Sequence, residues 1–325
     1  MWRAKVVGST PSVAGSRAVG RGDLEAVREM ASMFSRIDQR RGGGHARTAV
    51  VQYLTSDVAS CLRGTYADDR VREGMFSAAG ELAYLAGWMA FDNSEHAIAQ
   101  RYFTVAVKLA AEADDAPMVG HVLRAMAHQA IDLGHYKHGL DLAAASLDGN
   151  RYQLACPRER ALLGVVHAKA LGAAGQQQAA ARALLQAEDD FAAVSTGDEE
   201  PSRVFFFGEA SLAHETACTL RDTRDLTSAI REFRRSVRTR EATTFSRTHA
   251  VTLGYLGAIQ VRSGDIEEAC ATWSKALVAM DGIHSGRVRR AVQDMRSALS
   301  SLRGRGVTAA KELDERAAAY LIAAP

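Results

Sequence analysis

Leu253-Gly254-Tyr255-Leu256-Gly257-Ala258-Ile259-Gln260-Val261-Arg262-Ser263-Gly264-Asp265-Ile266-Glu267-Glu268-Ala269-Cys270-Ala271-Thr272-Trp273-Ser274-Lys275-Ala276-Leu277 reads as two helices folded back on one another. A small residue, Gly257, stands in the middle of the first helix. The turn glycine, Gly264, comes seven residues later. Ala269 opens the second helix, Trp273 follows four on, and Ala276 three beyond that. The spacing has a mechanical reason. Antiparallel helices joined by a short turn approach closely only where their side chains are small, and a large aromatic then fills the wedge that remains.

This unit resembles a tetratricopeptide repeat over its whole length, and the same template recurs upstream. Gly87, Ala99, Phe103 and Ala106 match it, with Ser94 in the turn. Ala127, Gly134, Gly139, Ala143 and Ser146 form a second copy; Ala168, Gly175, Ala180, Leu184 and Ala187 form a third. Ala217, Ala229, Phe233 and Ser236 form a fourth, with Arg224 in the turn. The five copies stand at intervals of 40, 41, 49 and 40 residues. All exceed the ~34 of the standard unit, and the longest step contains the polar stretch Ser195 to Pro201. Any one match could arise by chance in an alanine-rich chain; five in nearly fixed phase do not. The fold class is all-α, a tetratricopeptide-type α-solenoid in which hairpins stack into a right-handed superhelix.

Other local signals agree. Leu24, Val27, Met30, Phe34 and Ile37 line one face of a first helix, with Asp23 as its N-cap and Gly42-Gly43-Gly44 as its stop. Val50, Val51, Leu54, Val58 and Leu62 line a second helix, and Val71 to Met89 a third. Pro117, Pro157 and Pro201 mark helix boundaries, because proline inside a helix costs ~3 kcal/mol. The chain divides into a flexible tail (1–20), an N-terminal helical region (21–80), a repeat array (81–281) and capping helices (282–325) broken at Gly304-Arg305-Gly306.

Composition excludes several classes. No apolar run approaches the ~18 residues that span a bilayer, and Met1 to Gly20 lacks the apolar core of a secretory signal. Cys61, Cys156, Cys218 and Cys270 lie far apart with no CxxC pair. They read as small buried hydrophobes in a reducing, cytoplasmic setting, not as a disulfide frame or zinc site. A net charge of +2 does not declare nucleic acid or membrane as partner.

No catalytic or metal constellation stands out, and no cofactor is implied. His214-Glu215 lacks the second histidine of HExxH, and no phosphate loop or nucleophile elbow is present. Gly42 to Arg47 could form an anion nest, but a glycine stop between helices weighs more. In such an array the first helix of each hairpin lines a concave surface. The corresponding positions are Tyr84, Trp88, Arg124, His128, Lys169, His214, Arg221 and Arg262. The stripe holds cations and aromatics with no acid among them, which suits a peptide whose carboxylates meet Arg and Lys. The arginines of 231–240 and of 287–296 are read as solvated helix faces, since neither cluster belongs to a DNA-reading module.

Two further stretches carry a wider likeness: Gly42-Gly43-Gly44-His45-Ala46-Arg47-Thr48-Ala49-Val50-Val51-Gln52-Tyr53-Leu54, and Leu85-Ala86-Gly87-Trp88-Met89-Ala90-Phe91-Asp92 with Ala99-Gln100-Arg101-Tyr102-Phe103. From Val19 onward the chain resembles the sensory portion of actinobacterial helix-turn-helix regulators with tetratricopeptide repeats, a group associated with sporulation and antibiotic control. That resemblance implies a non-enzymatic regulatory module that takes a peptide, a small signal or a protein partner in its groove. In the group a DNA-binding domain precedes the repeats. The tail Trp2 to Gly20 leaves no room for one, so direct nucleic-acid binding is not carried over. A scaffold or homodimer without a ligand, and a DNA-associated regulator, are the alternatives.

Overall fold

Helices at three-and-four spacing account for nearly all of the chain in the computed structural model, which describes residues 17–195, 197, 199–300 and 308–323. The helices are α1 (Arg21–Arg41), α2 (Gly43–Tyr53), α3 (Ala59–Leu62), α4 (Asp69–Asp92), α5 (His96–Glu112), α6 (Ala116–Asp132) and α7 (Tyr136–Ser146). Then come α8 (Asn150–Gln153), α9 (Pro157–Ala173), α10 (Gln177–Ala192), α11 (Glu209–Asp222), α12 (Leu226–Thr239), α13 (Ser246–Ser263), α14 (Ile266–Ala279), α15 (Gly286–Ser300) and α16 (Thr308–Ala323). A π-turn, Leu54–Val58, carries α2 into α3. Two short parallel strands, β1 (Ala18–Val19) and β2 (Thr65–Tyr66), tie the start of the described chain to the end of α3. Most of the 1–20 tail, the Gly304–Gly306 break and part of the Ser195 to Pro201 stretch lie outside the described residues.

The local signals mostly place the helix ends. Pro117 and Pro157 stand in the first turns of α6 and α9, and Pro201 precedes the 3₁₀ turn Ser202–Val204. Asp115 and Asp225 accept backbone N–H bonds from Met118 and Ser228, as capping carboxylates do. Asp23 is a correction. The helix begins earlier, at Arg21, and Asp23 sits inside its first turn, where its carboxylate accepts the N–H of Gly20. The expected division at 80/81 falls inside α4, which begins at Asp69.

Five hairpins stack in order: α4/α5, α6/α7, α9/α10, α11/α12 and α13/α14. The template positions do the packing. A Cβ on Gly257 would stand 2.4 Å from the Trp273 ring, and one on Gly87 2.7 Å from Phe103. Both aromatics are fully buried, and Trp273 Nε1 donates to the Gly254 carbonyl at 3.0 Å. In these two hairpins the aromatic therefore covers the small residue of its own first helix, which lets them close.

All five turn positions have a left-handed backbone, with φ of 64° at Ser94, 80° at Gly134, 79° at Gly175, 69° at Arg224 and 93° at Gly264. Non-glycine residues are strained there by roughly 1 kcal/mol. Arg224 is exposed, so Arg224→Gly is expected to stabilise the fold by about 0.5–1 kcal/mol, read as a raised urea midpoint at constant slope.

The array does not end in an open superhelix: its two ends meet. The backbone of Gly44 donates to the carbonyl of His284 at 2.9 Å, and His284 N–H donates to the Arg41 carbonyl at 2.7 Å. Gly42 serves this approach, since a Cβ there would collide with the His284 carbonyl, and Gly43 lets α2 pack on α4, where a Cβ would collide with the Met89 backbone. The Gly43 N–H is itself taken by Asp92. The glycine run is thus a helix stop and a close-packing surface, and these two N–H groups are already occupied. At the same seam Arg247 of α13, 2% exposed, donates to Asp38 of α1 at 2.9 Å and to Asp92 of α4 at 3.1 Å. Helix α1 thereby lies across the mouth of the concave face.

Candidate functional site

The inner wall is built by the first helices of the hairpins, whose inward residues are fixed by the small-residue packing behind them. With α1 across one side and the segment Ser202–Phe207 across another, the wall encloses a chamber. Tyr84, Leu85, Trp88, Leu162, Val166, Phe206 and Phe207 supply its apolar surface, and Ala31, Ser32 and Ser35 of α1 its roof. Beyond Ser32, Glu81, Ser202 and Arg203 a second, wider depression opens over Arg28, Met33 and Arg36.

The structure brings together Tyr84, Trp88, Arg124, His128, Lys169 and His214 and leaves two expected residues out. Tyr84, Trp88, Arg124, His128 and His214 line the chamber, and Lys169 lies buried just behind His128. Arg221 lies away from it: the guanidinium pairs with Asp222 at 2.8 Å and sits over the Tyr255 ring. Arg262 is exposed near the end of α13. Both stand at the C-terminal ends of their helices, beyond the reach of the enclosed wall.

The expected stripe of cations and aromatics is joined by acids from other positions: Asp38, Glu81 and Glu215 also line the chamber. Lys169 Nζ approaches Glu215 at 3.3 Å and Asp132 at 4.0 Å, and it lies 3.1 Å from His128 Nε2. His128 Nε2 also lies 3.3 Å from Glu215 Oε1, so it stands between a group that can only donate and one that can only accept, and these contacts do not select one tautomer. Burial and then Lys169 lower the His128 pKa. Burial opposes ionisation of Lys169 and Glu215, yet their mutual attraction holds Lys169 above and Glu215 well below the ordinary range.

A second cluster starts from Glu159, fully buried in α9. It accepts from Arg203 Nε at 2.7 Å and Nη2 at 3.0 Å, and from His121 Nδ1 at 3.0 Å. Burial raises the Glu159 carboxyl, but Arg203 and His121 outweigh it and hold it at about 2. The far nitrogen of His121 accepts from Arg124 Nη2 at 3.0 Å, which fixes the neutral tautomer; burial and Arg124 lower this histidine to about 4. Arg124 Nη2 also donates to Tyr84 Oη at 2.8 Å. The guanidinium stands 5.5–6.0 Å from the ring centroids of Trp88, Tyr84 and Phe206.

His214 is held differently. Thr252 Oγ1 gives its proton to the Thr248 carbonyl, so it accepts from His214 Nδ1 at 2.8 Å. Burial lowers His214 to about 3, keeping it neutral. Among the described residues no cluster of His, Cys, Asp and Glu could hold a metal ion. The basic helices are largely absorbed in the same way. Arg234 pairs with Glu268, Arg235 with Glu209 and Glu232, Arg296 with Asp314, and Arg287 approaches Asp132.

Sequence reasoning missed Asp38, Asp92, Arg203, Phe206 and Arg247, and it read Arg287, which lines the chamber, as part of a solvated face. All but Asp92 lie outside the hairpin positions that the template projects inward, and Asp38 and Arg247 meet across 209 positions of chain. Arg203 and Phe206 follow the polar stretch Ser195 to Pro201 in the longest of the repeat intervals, and the length of that interval was the only signal.

Comparison with known proteins bears on the fold. No family model matches the chain, and no curated protein matches it in sequence. Among solved structures, a Rap protein complexed with Competence and Sporulation Factor is similar over 92% of this chain and 97% of its own, with TM-score 0.55 and 12% identity. Aspartyl phosphate phosphatase F from Bacillus subtilis matches over 98% and 95%, with TM-score 0.44 and 12% identity. A chain described as a kinesin light chain from Podosopora anserina, with nearly identical TPR-like repeats, matches over 61% and 93%, with TM-score 0.43 and 17% identity. The chain has the TPR-like α-solenoid fold, and no described helix is long and apolar enough to cross a membrane.

Proposed function

We propose that the chain is a non-enzymatic sensory module that takes a small signal or a short peptide into the chamber of its concave face. The observation that carries this reading is the enclosure itself. An apolar wall with buried, oriented polar groups is roofed by a helix that packs on α2 and α4 and joins α13 through Arg247. Ligand pockets have this character: mostly apolar, with a few fixed polar groups. The Rap protein whose fold this chain shares was crystallised with Competence and Sporulation Factor, and the likeness to regulators with tetratricopeptide repeats points the same way. The roof narrows the class of ligand. A roofed chamber admits a small molecule or the end of a short peptide, not a long extended peptide.

Signalling follows from the seam. A ligand that binds better when α1 is docked, or when it is displaced, shifts the population between those states by its difference in affinity, and a partner can read the exposed surface. Ser35 on α1 faces the chamber and is half-buried. Ser35→Trp is expected to fill the space while leaving the hairpins intact. A panel of tri- to pentapeptides and aromatic acids should raise the melting temperature of the wild-type chain, and the variant should lose at least about 90% of the affinity of each hit. Equal responses in both proteins would place binding elsewhere. No response to any member of the panel would end the proposal.

A further inference from the structure

Four guanidinium groups line the chamber: Arg124, Arg203, Arg247 and Arg287. Three of them have carboxylates beside them. Arg203 holds Glu159, Arg247 holds Asp38 and Asp92, and Arg287 approaches Asp132. Arg124, 2% exposed, has no carboxylate within ion-pairing distance among the described residues. Its acceptors are the Tyr84 hydroxyl and the neutral His121 ring, both on Nη2. Its Nε is buried without any hydrogen-bond partner. The faces of Trp88, Tyr84 and Phe206 offset only part of what removing a cation from water costs. The charge of Glu159, on the far side of His121, is already matched by Arg203.

We propose that Arg124 is the anchor for a single carboxylate borne on an apolar body, either a free organic acid or the C-terminus of a short peptide. This deepens the reading of the chamber as a ligand site and rests on it. One unmatched cation calls for one anionic charge. Asp38, Glu81 and Glu215 line the same space, so a phosphate dianion would meet repulsion that a monoanion beside Arg124 avoids. Trp88, Leu162, Val166 and Phe206 offer the apolar contact for the body of the ligand. A guanidinium donates to a carboxylate with charge on both sides, the strongest kind of hydrogen bond available in a dry site.

The test uses the full chain and two pairs of probes: phenylacetate against phenylacetamide, and N-acetyl-leucyl-phenylalanine against its C-terminal amide. Affinities are read by saturation-transfer NMR at probe concentrations up to the low millimolar range. In the wild type at least one acid is expected to bind about tenfold or more tightly than its amide. Arg124→Met is expected to bring the acid-to-amide ratio close to one, and its melting temperature should hold or rise as an unmatched charge leaves. A purely structural brace would instead lose melting temperature and leave the acid-to-amide ratio alone. Which pair responds assigns the carboxylate to a peptide terminus or to a free acid. Equal affinity of acid and amide in the wild type overturns the anchor and spares the chamber. Binding of none of the four probes overturns both. Should Arg124→Met not fold, the wild-type ratio decides the question.

Discussion

Arg247→Met is expected to destabilise the chain by about 3–5 kcal/mol at pH 7.5, because it strands two buried carboxylates instead of removing a contact. Asp38 is 1% exposed and Asp92 fully buried, and both face Arg247. The same change removes the Arg247 donation to the Asp38 carbonyl, so α1 loses its tie to α13. Amide hydrogen exchange should show lost protection in α1 and around His284, with the central hairpins far less affected. The effect has a pH signature. In the wild type burial raises the Asp38 pKa to about 6 against the pull of Arg247. A raised pKa means the folded state favours the proton. The Asp38 contribution to stability is then full below pH 3.8 and is lost as pH rises through about 6. Removing the cation leaves burial unopposed and moves Asp38 higher, so the deficit of the variant should shrink between pH 7.5 and pH 5. The buried histidines titrate in both proteins and cancel in the difference. A deficit independent of pH, or protection lost evenly over the whole chain, would contradict this account of the seam.

Trp273→Ala is expected to cost about 3–5 kcal/mol, the range for emptying a buried aromatic site. Trp273 has no exposed surface and lies against Gly257, so its removal leaves a void that a neighbouring glycine cannot fill. Trp273→Phe should cost less, about 1–2 kcal/mol, part of it the bond to the Gly254 carbonyl. Chemical denaturation of the two variants gives the comparison. An ordinary repeat array would answer Trp273→Ala by melting the affected hairpin and its neighbour. Here α13 also carries Arg247, so the loss of packing in the last hairpin should loosen α1 as well. The slope of the denaturation curve should therefore stay near the wild-type value. A shallow, two-step curve would show that the ends are not coupled.

The hairpins were legible because their cause is local. Gly257 with Trp273, Gly87 with Phe103, and the turn positions from Ser94 to Gly264 each record one close approach within about twenty residues. Even the departures carried meaning: Ser94 and Arg224 take up the same left-handed turn as the glycines, at a conformational cost. The seam was not legible, since nothing in the periodicity of α1 or α13 announces that Asp38 and Arg247 face each other. For the site, the helical face brings Tyr84, Trp88, Arg124, His128 and His214 to the chamber wall with Lys169 behind them, and leaves Arg221 and Arg262 outside it. The stripe positions say nothing of the acids beside them: Asp38, Glu81 and Glu215 reach the chamber from other positions, and Asp132 and Glu159 pair with cations behind its wall.

The meeting of Gly42–Gly44 with His284 has one more consequence. A solenoid with free ends tolerates duplication or deletion of a unit, which merely lengthens or shortens it. Here the backbone bonds at the join fix the circumference, and with it the number of hairpins between. Inserting or excising a whole hairpin would pull the ends apart and open the roofed space, so this chain can diversify by changing what faces inward far more readily than by changing how many units it has.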